Sequence, residues 1–487
     1  MSERELLVLD AGTSSTRAIR YAPDGRVLGQ CSRDIVQHYP GPGLVEHDAA
    51  EIWTKTLGCA RQMVAEAGGP DRIAAIGITN QRETVVAWRR STGEPLARAI
   101  VWQDRRTADR CRILREAGHE PQLQQRTGLR LDPYFSATKM GWLLANDAAV
   151  SSAGSDLALG TIETWLAWKL TGRQLTDASN ASRTLLLDLE GKDWEPELLT
   201  LFGVPRAALG EVVGNAGNFG STMPALFGAP IPLTALVGDQ QSATIGQACL
   251  APGQTKLTLG TGAFVLTNRG TARPQAAEGL LGTVLCELGG ARQFALEGAI
   301  FVAGSLIKWL RDNLGIVRSA AETDALARSV PDNGGVAILP ALSGLGAPYW
   351  KPDATAAITG LSFAATRAHV ARAALETVSH QLVDLAAAFA AADCPWHDLR
   401  IDGGMAANDW LAQDIADMTG LAVGRPSDVE TTARGAAILA AVGAGLYPDL
   451  ALAAAAMTPS RDHFAPRDIG AERSTRLAAW RRLVDQA

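Results

Sequence analysis

Residues 5–30, ELLVLDAGTSSTRAIRYAPDGRVLGQ, run from an apolar stretch through small polar residues into a second apolar stretch, an Asp-Gly pair and a third. The pattern predicts strand, turn, strand, hairpin turn, strand, with Asp10 at the end of the first strand and Gly12, Thr13, Ser14 and Ser15 in the turn. It returns at 255–270, TKLTLGTGAFVLTNRG, where Gly260-Thr261-Gly262 forms the turn. One device near the start of each half of the chain is too widely spaced for a solenoid and suggests two domains of similar design. The plainer alternative is that any α/β chain carries several such hairpins. Helical periodicity is expected at 46–67, ending in Gly68-Gly69-Pro70, and at 369–392, where Val378, Leu382, Leu385 and Phe389 share a face. A helix over 408–420 closes on Gly420, and the small residues of 431–445 suit a helix packed closely on a neighbour. Alternating helices and strands argue for α/β layers, and LAPGQ (250–254) marks a boundary near 245–255.

One stretch interrupts this pattern. In IAAIGITNQRETVVAW (73–88) a strand pair, 73–79 and 84–89, is expected to flank the polar cluster Asn80-Gln81-Arg82-Glu83-Thr84. An unpaired buried Arg or Glu there would cost several kcal/mol, so the cluster needs a reason.

Composition narrows the classes. The 487 residues are 47% hydrophobic and carry a net charge of −6, so no polyanion-binding surface or nucleic-acid partner is expected and an anionic ligand must be held by a local site. Six scattered cysteines without a CxxC pair indicate neither zinc nor redox chemistry and read as buried reduced thiols of a cytosolic protein. The first residues show no signal-peptide pattern. The late apolar run GAAILAAVGAGLYPDL breaks at Pro448-Asp449, too early for a membrane span. A cytoplasmic location is the expectation.

No GxxxxGK[ST], no GxGxxG after a strand and no HExxH occurs. Four polar turns remain. GTSSTR (12–17) offers backbone N–H groups, hydroxyls and Arg17 to phosphate oxygens, with Asp10 placed for Mg2+ through water; its alternative is a hairpin turn with Asp10 as a cap. GTGAF (260–264) offers similar groups, and IDGGMAANDW (401–410) puts two glycines before a helix start. VGDQQSATIGQ (237–247) puts Asp239, Gln240 and Gln241 at a strand end, where Asp239 suits a proton acceptor or, more plainly, a helix N-cap.

Taken in order, LDAGTSSTR, PGLVEHD, IAAIGITNQRETVVAW, AIVWQDRRTA, TGLRLDPYFSATKMGWLL, TDASNASRTLL, GDQQSA, GTGAFVLTN, LEGAIFVAGSLIKWLRD, SGLGAPYW and DGGMAAND resemble the FGGY carbohydrate kinase family over nearly the whole chain. They are most similar to members acting on glycerol. The resemblance implies two ribonuclease H-like domains of the actin/hexokinase type around a cleft: residues 1–250 for the polyol, base and first phosphate turn, and 251–487 for the nucleotide. It implies ATP-dependent phosphorylation of glycerol to sn-glycerol 3-phosphate with Mg2+. Glycerol would be held by Arg82, Glu83, Tyr134, Asp239 and Gln240, with Trp102 and Phe264 against its carbon chain. Thr13, Ser14, Ser15, Arg17 and Thr261 would meet the phosphates, and Gly304, Gly404, Asn408 and Lys308 the rest of the nucleotide. Asp10 and Asp239 would lie near Mg2+, with Asp239 as general base. Arg82 and Glu83 are further expected to pair with each other in the empty site, with Asn80 and Gln81 as scaffold.

Departures from the family pattern carry expectations too. Lys308 stands where a Gln is common, and Ala263 where many members have Cys. FGSTMPALFGAPIPL (219–233) has no Arg or Lys where some relatives carry a basic loop for fructose 1,6-bisphosphate, so that inhibition is expected to be absent or weak. A homodimer or homotetramer is possible from the family. Two alternatives stay open: a kinase of the same family acting on a tetritol or pentulose, and a non-catalytic actin-like nucleotide-binding protein.

Overall fold

The computed structural model describes residues 4–277, 279–351, 353–428 and 430–486. Two sheets organise it. The first contains β1 (Glu5–Ala11), β2 (Ser15–Tyr21), β3 (Val27–Asp34), β4 (Ile73–Asn80) and β5 (Leu233–Gly238) in the order β5-β4-β1-β2-β3. The second contains β6 (Gln254–Leu259), β7 (Ala263–Gly270), β8 (Leu281–Leu288), β9 (Ala291–Ile300), β10 (Asp398–Asp402), β11 (Val423–Pro426) and β12 (Arg461–Phe464), ordered β8-β9-β7-β6-β10-β11-β12. In the first sheet β1 pairs antiparallel with β2 and parallel with β4; in the second β6 pairs antiparallel with β7 and parallel with β10. The repeated device of the sequence is therefore the antiparallel start of two like-ordered sheets, as the two-domain α/β expectation requires.

Both faces of the first sheet are covered, which is why its strands read as continuous apolar runs. Leu7 and Leu9 face a core shared with Ile52 and Met63 of helix α1 (Ala49–Ala67), whereas Leu6 and Val8 join Ala436, Ala437 and Ala440. Helix α1 starts three residues later than the periodicity suggests, because the Asp48 side chain caps it by accepting from Ala50 N and Glu51 N. The other helices used below are α2 (Asp239–Gly246), α3 (Gly304–Asp312), α4 (Arg367–Ala391), α5 (Asp409–Thr419) and α6 (Thr431–Gly443). All six cysteines are free; five are buried and Cys31 is half-buried. Among the described residues no helix is long and apolar enough to cross a membrane.

The strand pair expected around the polar cluster does not form. β4 lies in the first sheet, but Val86–Arg89 pairs instead with Leu157–Gly160. The cause is local: Glu83 adopts a left-handed backbone, φ 61°, and turns the chain out of the sheet.

Several contacts join the lobes, and two of them bear on the fold. Helix α6, late in the chain, packs on the first sheet and crosses α2, and the crossing works only because it is made of glycines. A Cβ at Gly435 would lie 1.8 Å from Ser242 O, and one at Gly246 would lie 2.0 Å from Thr431 O. The second contact is ionic. Arg82 grips Glu297 of β9 through Nη1–Oε2 at 2.6 Å and Nη2–Oε1 at 3.2 Å, and Arg183 reaches the same Oε1 at 3.0 Å. Burial pushes the Glu297 carboxyl up, but Arg183 and Arg82 outweigh it and bring the carboxyl down to about 2.

Two outcomes test these joints. Gly435→Ala is expected to lower unfolding free energy by about 1–3 kcal/mol, read from urea melts, since overpacking a close crossing forces backbone shifts; an unchanged midpoint would contradict the close-crossing account. A carboxyl depressed from 4.5 to about 2 contributes stability that is present above pH 4.5 and lost as pH falls through about 2. Glu297→Gln is expected to cost about 3–5 kcal/mol at neutral pH and to flatten the stability profile in that acid window; parallel wild-type and variant profiles would rule out this role.

Candidate active site

The polar cluster of 80–84 divides into scaffold and site. Asn80 Nδ2 donates to Glu163 Oε2 at 3.0 Å and to Asn180 Oδ1 at 3.1 Å, and Gln81 Nε2 donates to Gly12 O at 3.1 Å. Thr84 Oγ1 donates to Gln81 Oε1 at 3.0 Å and accepts from Trp102 N at 3.2 Å. These bonds fix the turn against the first phosphate-type turn and the segment bearing Trp102.

Arg82 and Glu83 do not pair closely with each other. Their nearest atoms, Nε and Oε1, are 3.9 Å apart. Glu83 Oε1 instead accepts from Arg183 Nε at 2.7 Å. The left-handed backbone at Glu83 points the two neighbours to different partners: Arg82 finds Glu297 in the other lobe, and Glu83 finds Arg183 in its own. Arg82 Nη1 also donates to Gln241 Oε1 at 3.2 Å and Nη2 to Tyr134 Oη at 3.4 Å. Its Nε, 3.3 Å from Asp239 Oδ1, is the donor left for a small hydroxyl.

Asp239 opens α2 at the end of β5, as its sequence position suggests. Burial pushes its carboxyl above the ordinary aspartate range, against the pull of Arg82 and Lys256, and Asp10 adds to the rise. A carboxylate raised in this way is a better proton acceptor near neutral pH than a free aspartate. Gln240 N donates to Asp239 Oδ1 at 2.6 Å. The Trp102 and Tyr134 rings meet edge to face at 5.6 Å and form an apolar wall beside these polar groups. Phe264 stands half-buried on β7 opposite Ala299 of β9, the strand that carries Glu297.

The nucleotide candidates divide between the lobes. Thr13 Oγ1 accepts from Trp102 Nε1 at 3.0 Å, so the first turn is tied to the aromatic wall. Ser15 O closes the turn by accepting from Gly12 N at 2.9 Å, and Ser14 is exposed. Arg17 pairs with Asp10 and reaches Glu430 at 2.5 Å. Thr261 is exposed, and its carbonyl accepts from Ala303 N and Ser305 N, both at 3.0 Å. Gly304 N donates to Gly260 O at 3.0 Å, and a Cβ at Gly304 would lie 2.5 Å from that oxygen. The space beside Gly404 is open: a Cβ there would meet nothing within 4 Å. Asn408 caps α5 by accepting from Leu411 N at 2.9 Å and donates to Thr323 Oγ1 at 3.0 Å, so its side chain already has partners in its own lobe. Lys308 is exposed on α3.

Among the described residues, no group of three or more His, Cys, Asp or Glu is placed to hold a metal ion. Asp10 and Asp239 are two carboxylates close enough to influence one another. That donor set fits Mg2+, which commonly takes one or two carboxylates and completes its shell with phosphate oxygens and water.

Sequence reading missed Arg183, Glu297, Lys256 and Glu430. The available signal was a single charged residue inside an apolar strand: Glu297 in FALEGAI and Lys256 in TKLTLG, both fully buried.

Comparison with known proteins identifies the family. The model of the FGGY family of carbohydrate kinases, N-terminal domain, matches residues 6–246, and that of the C-terminal domain matches 255–444. A glycerol kinase of Rhodospirillum centenum is 50% identical over 491 residues, covering 99% of this chain and 98% of the relative. A glycerol kinase of Methylobacterium nodulans is 48% identical over 499 residues, covering 99% and 97%. The crystal structure of Plasmodium falciparum glycerol kinase with ADP superposes with a TM-score of 0.94 at 32% identity, covering 99% of this chain and 98% of that one. The chain belongs to the FGGY family of carbohydrate kinases.

Proposed function

We propose that this protein transfers the γ-phosphoryl group of ATP to glycerol, giving sn-glycerol 3-phosphate. The observation that carries the reading is the juxtaposition of Arg82 Nε, Glu83 and Asp239 beside the Trp102–Tyr134 wall. Glycerol presents three hydroxyls, each donor and acceptor, and a short C–H backbone. Arg donates, the carboxylates accept, and the rings cover the carbon side. Relatives about half identical over nearly the whole chain bear the name glycerol kinase.

In this reading residues 1–250 supply the polyol site, the base and the first phosphate turn, and 251–487 most of the nucleotide site. Asp239 orients a terminal hydroxyl and takes its proton as that oxygen attacks in line. Thr13, Ser14, Ser15 and Thr261 offer hydroxyl and backbone donors to the phosphates. Arg17, held by Asp10 and Glu430, stands ready to exchange one of them for a phosphate oxygen. Gly304 and Gly404 leave room for the nucleotide, while Lys308 and Asn408 flank it. Mg2+, held by Asp10 and Asp239, would offset the charge of the transferring group. An enzyme drawing on ATP suits the cytoplasm.

Coupled ADP release with glycerol, dihydroxyacetone, erythritol and xylulose is the test. Glycerol is expected to give the highest kcat/KM, and a clear preference for erythritol or xylulose would overturn the substrate assignment. Asp239→Asn is expected to lose about 10²-fold or more in kcat with its melting temperature nearly unchanged, as loss of a general base does; a variant keeping more than about a tenth of kcat would remove Asp239 from that role. Residues 219–233 bear no cationic side chain; of the arginines beside the segment, Arg61 donates to Leu226 O at 2.9 Å and Arg173, next to Gly220, lies 3.5 Å from Glu211. Millimolar fructose 1,6-bisphosphate is therefore expected to leave the glycerol rate unchanged; strong inhibition would point to a phosphate site elsewhere.

A further inference from the structure

Besides its pull on Asp239, Lys256 makes one contact of its own. It sits fully buried on β6 of the second lobe, yet its Nζ reaches across to α2 of the first and donates to Gln240 Oε1 at 2.5 Å. Gln240 lies beside Asp239, and its backbone is pinned as well: its N donates to Asp239 Oδ1 at 2.6 Å and its carbonyl accepts from Thr244 Oγ1 at 2.8 Å. Gln240 is half-buried, and the other end of its side chain, Nε2, has no hydrogen-bond partner among the described residues.

A side-chain amide has one accepting and one donating end of nearly equal shape, so either can face a ligand unless something selects. An ammonium has only donors. It accepts no bond from Nε2 and so binds only the oxygen end. We propose that Lys256 is a positioning residue that fixes the Gln240 amide with Oε1 turned inward and Nε2 presented to glycerol. The site then offers a hydroxyl oxygen a donor from Gln240 beside the acceptor Asp239. This matches the dual character of a hydroxyl and disfavours a group that only donates or only accepts. The inference rests on the glycerol reading given above.

A double-mutant cycle tests it, with glycerol binding by calorimetry in the absence of nucleotide and with steady-state kinetics. Lys256→Met replaces the buried cation by an apolar chain of similar length and leaves Gln240 Oε1 without its donor. It is expected to raise glycerol Kd and KM roughly 5- to 10-fold, about one hydrogen bond, while the KM for ATP changes less than about 2-fold. In a Gln240→Ala background the same replacement is expected to add almost nothing, since the two residues act as one unit. Equal effects of Lys256→Met in both backgrounds, or no effect on glycerol affinity in a folded variant, would overturn the proposal. Gln240→Glu supplies a second route if Lys256→Met does not fold. It keeps an oxygen for Lys256 but removes the donor, so glycerol binding is expected to weaken as much as in Gln240→Ala; wild-type affinity would overturn the assignment. If the wild-type protein prefers another polyol, the cycle is run with that polyol, so failure of the glycerol reading remains separate from failure of the Lys256 role.

Discussion

Two arginines and two glutamates, linked Glu83–Arg183–Glu297–Arg82, make an almost closed ring of buried charge between the lobes, open by 3.9 Å between Arg82 and Glu83, and the rest of the site depends on it. None of the four is more than slightly exposed. A buried charge is tolerated only when it is paired and hydrogen-bonded, so every member is needed to justify the others. The ring has three consequences. It binds the lobes, because Glu297 belongs to β9 of the second sheet while Arg82 follows β4 of the first. It engages both terminal nitrogens of Arg82 and leaves Nε toward Asp239. It also holds Glu83, in its left-handed conformation, through Arg183. The Arg183 guanidinium lies 5.5 Å from the Tyr134 ring and 5.2 Å from that of Phe135, so the aromatic wall packs against the same charges.

The two glutamates differ in character although both are fully enclosed. Burial raises the Glu83 carboxyl despite Arg82 and Arg183, while two close guanidiniums win over burial at Glu297. Glu297 is thus a fixed negative charge that organises the arginines, and Glu83 is the softer acceptor of the two. A second network extends this order to the phosphate side. Gln81 reaches Gly12 O, and Trp102 reaches Thr13 Oγ1, so the aromatic wall and the first turn, the proposed polyol and phosphate sites, are one hydrogen-bonded unit.

Much of this was legible in the sequence because local signals carried it. The strand-turn-strand devices, the Gly-closed helices and the small-residue helix at 431–443 each depend on neighbours in the chain, and each is present. The resemblance to the family drew on the same local segments. What the sequence did not disclose depends on distant pairing. Residues 73–79 and 84–89 read as one strand pair, but the left-handed Glu83 sends the second strand to Leu157–Gly160. Arg82 and Glu83 are adjacent and opposite in charge, so mutual pairing seemed natural; their closer partners lie 215 and 100 positions away. Lys256 and Glu297 were visible only as charges misplaced in apolar strands, a signal that marks a burial problem without naming the partner that solves it.

In the proposed reading this ion ring presents Arg82, Glu83 and Asp239 to a glycerol molecule lying against Trp102. A crystal structure of the protein with glycerol and a non-hydrolysable ATP analogue tests it most directly. The account predicts hydroxyls within hydrogen-bond distance of Arg82, Glu83 and Asp239, the carbon chain against Trp102, and Glu297 still bound to both arginines. Glycerol bound elsewhere in the cleft, or Arg82 turned away from Asp239 with no hydroxyl between them, would contradict it.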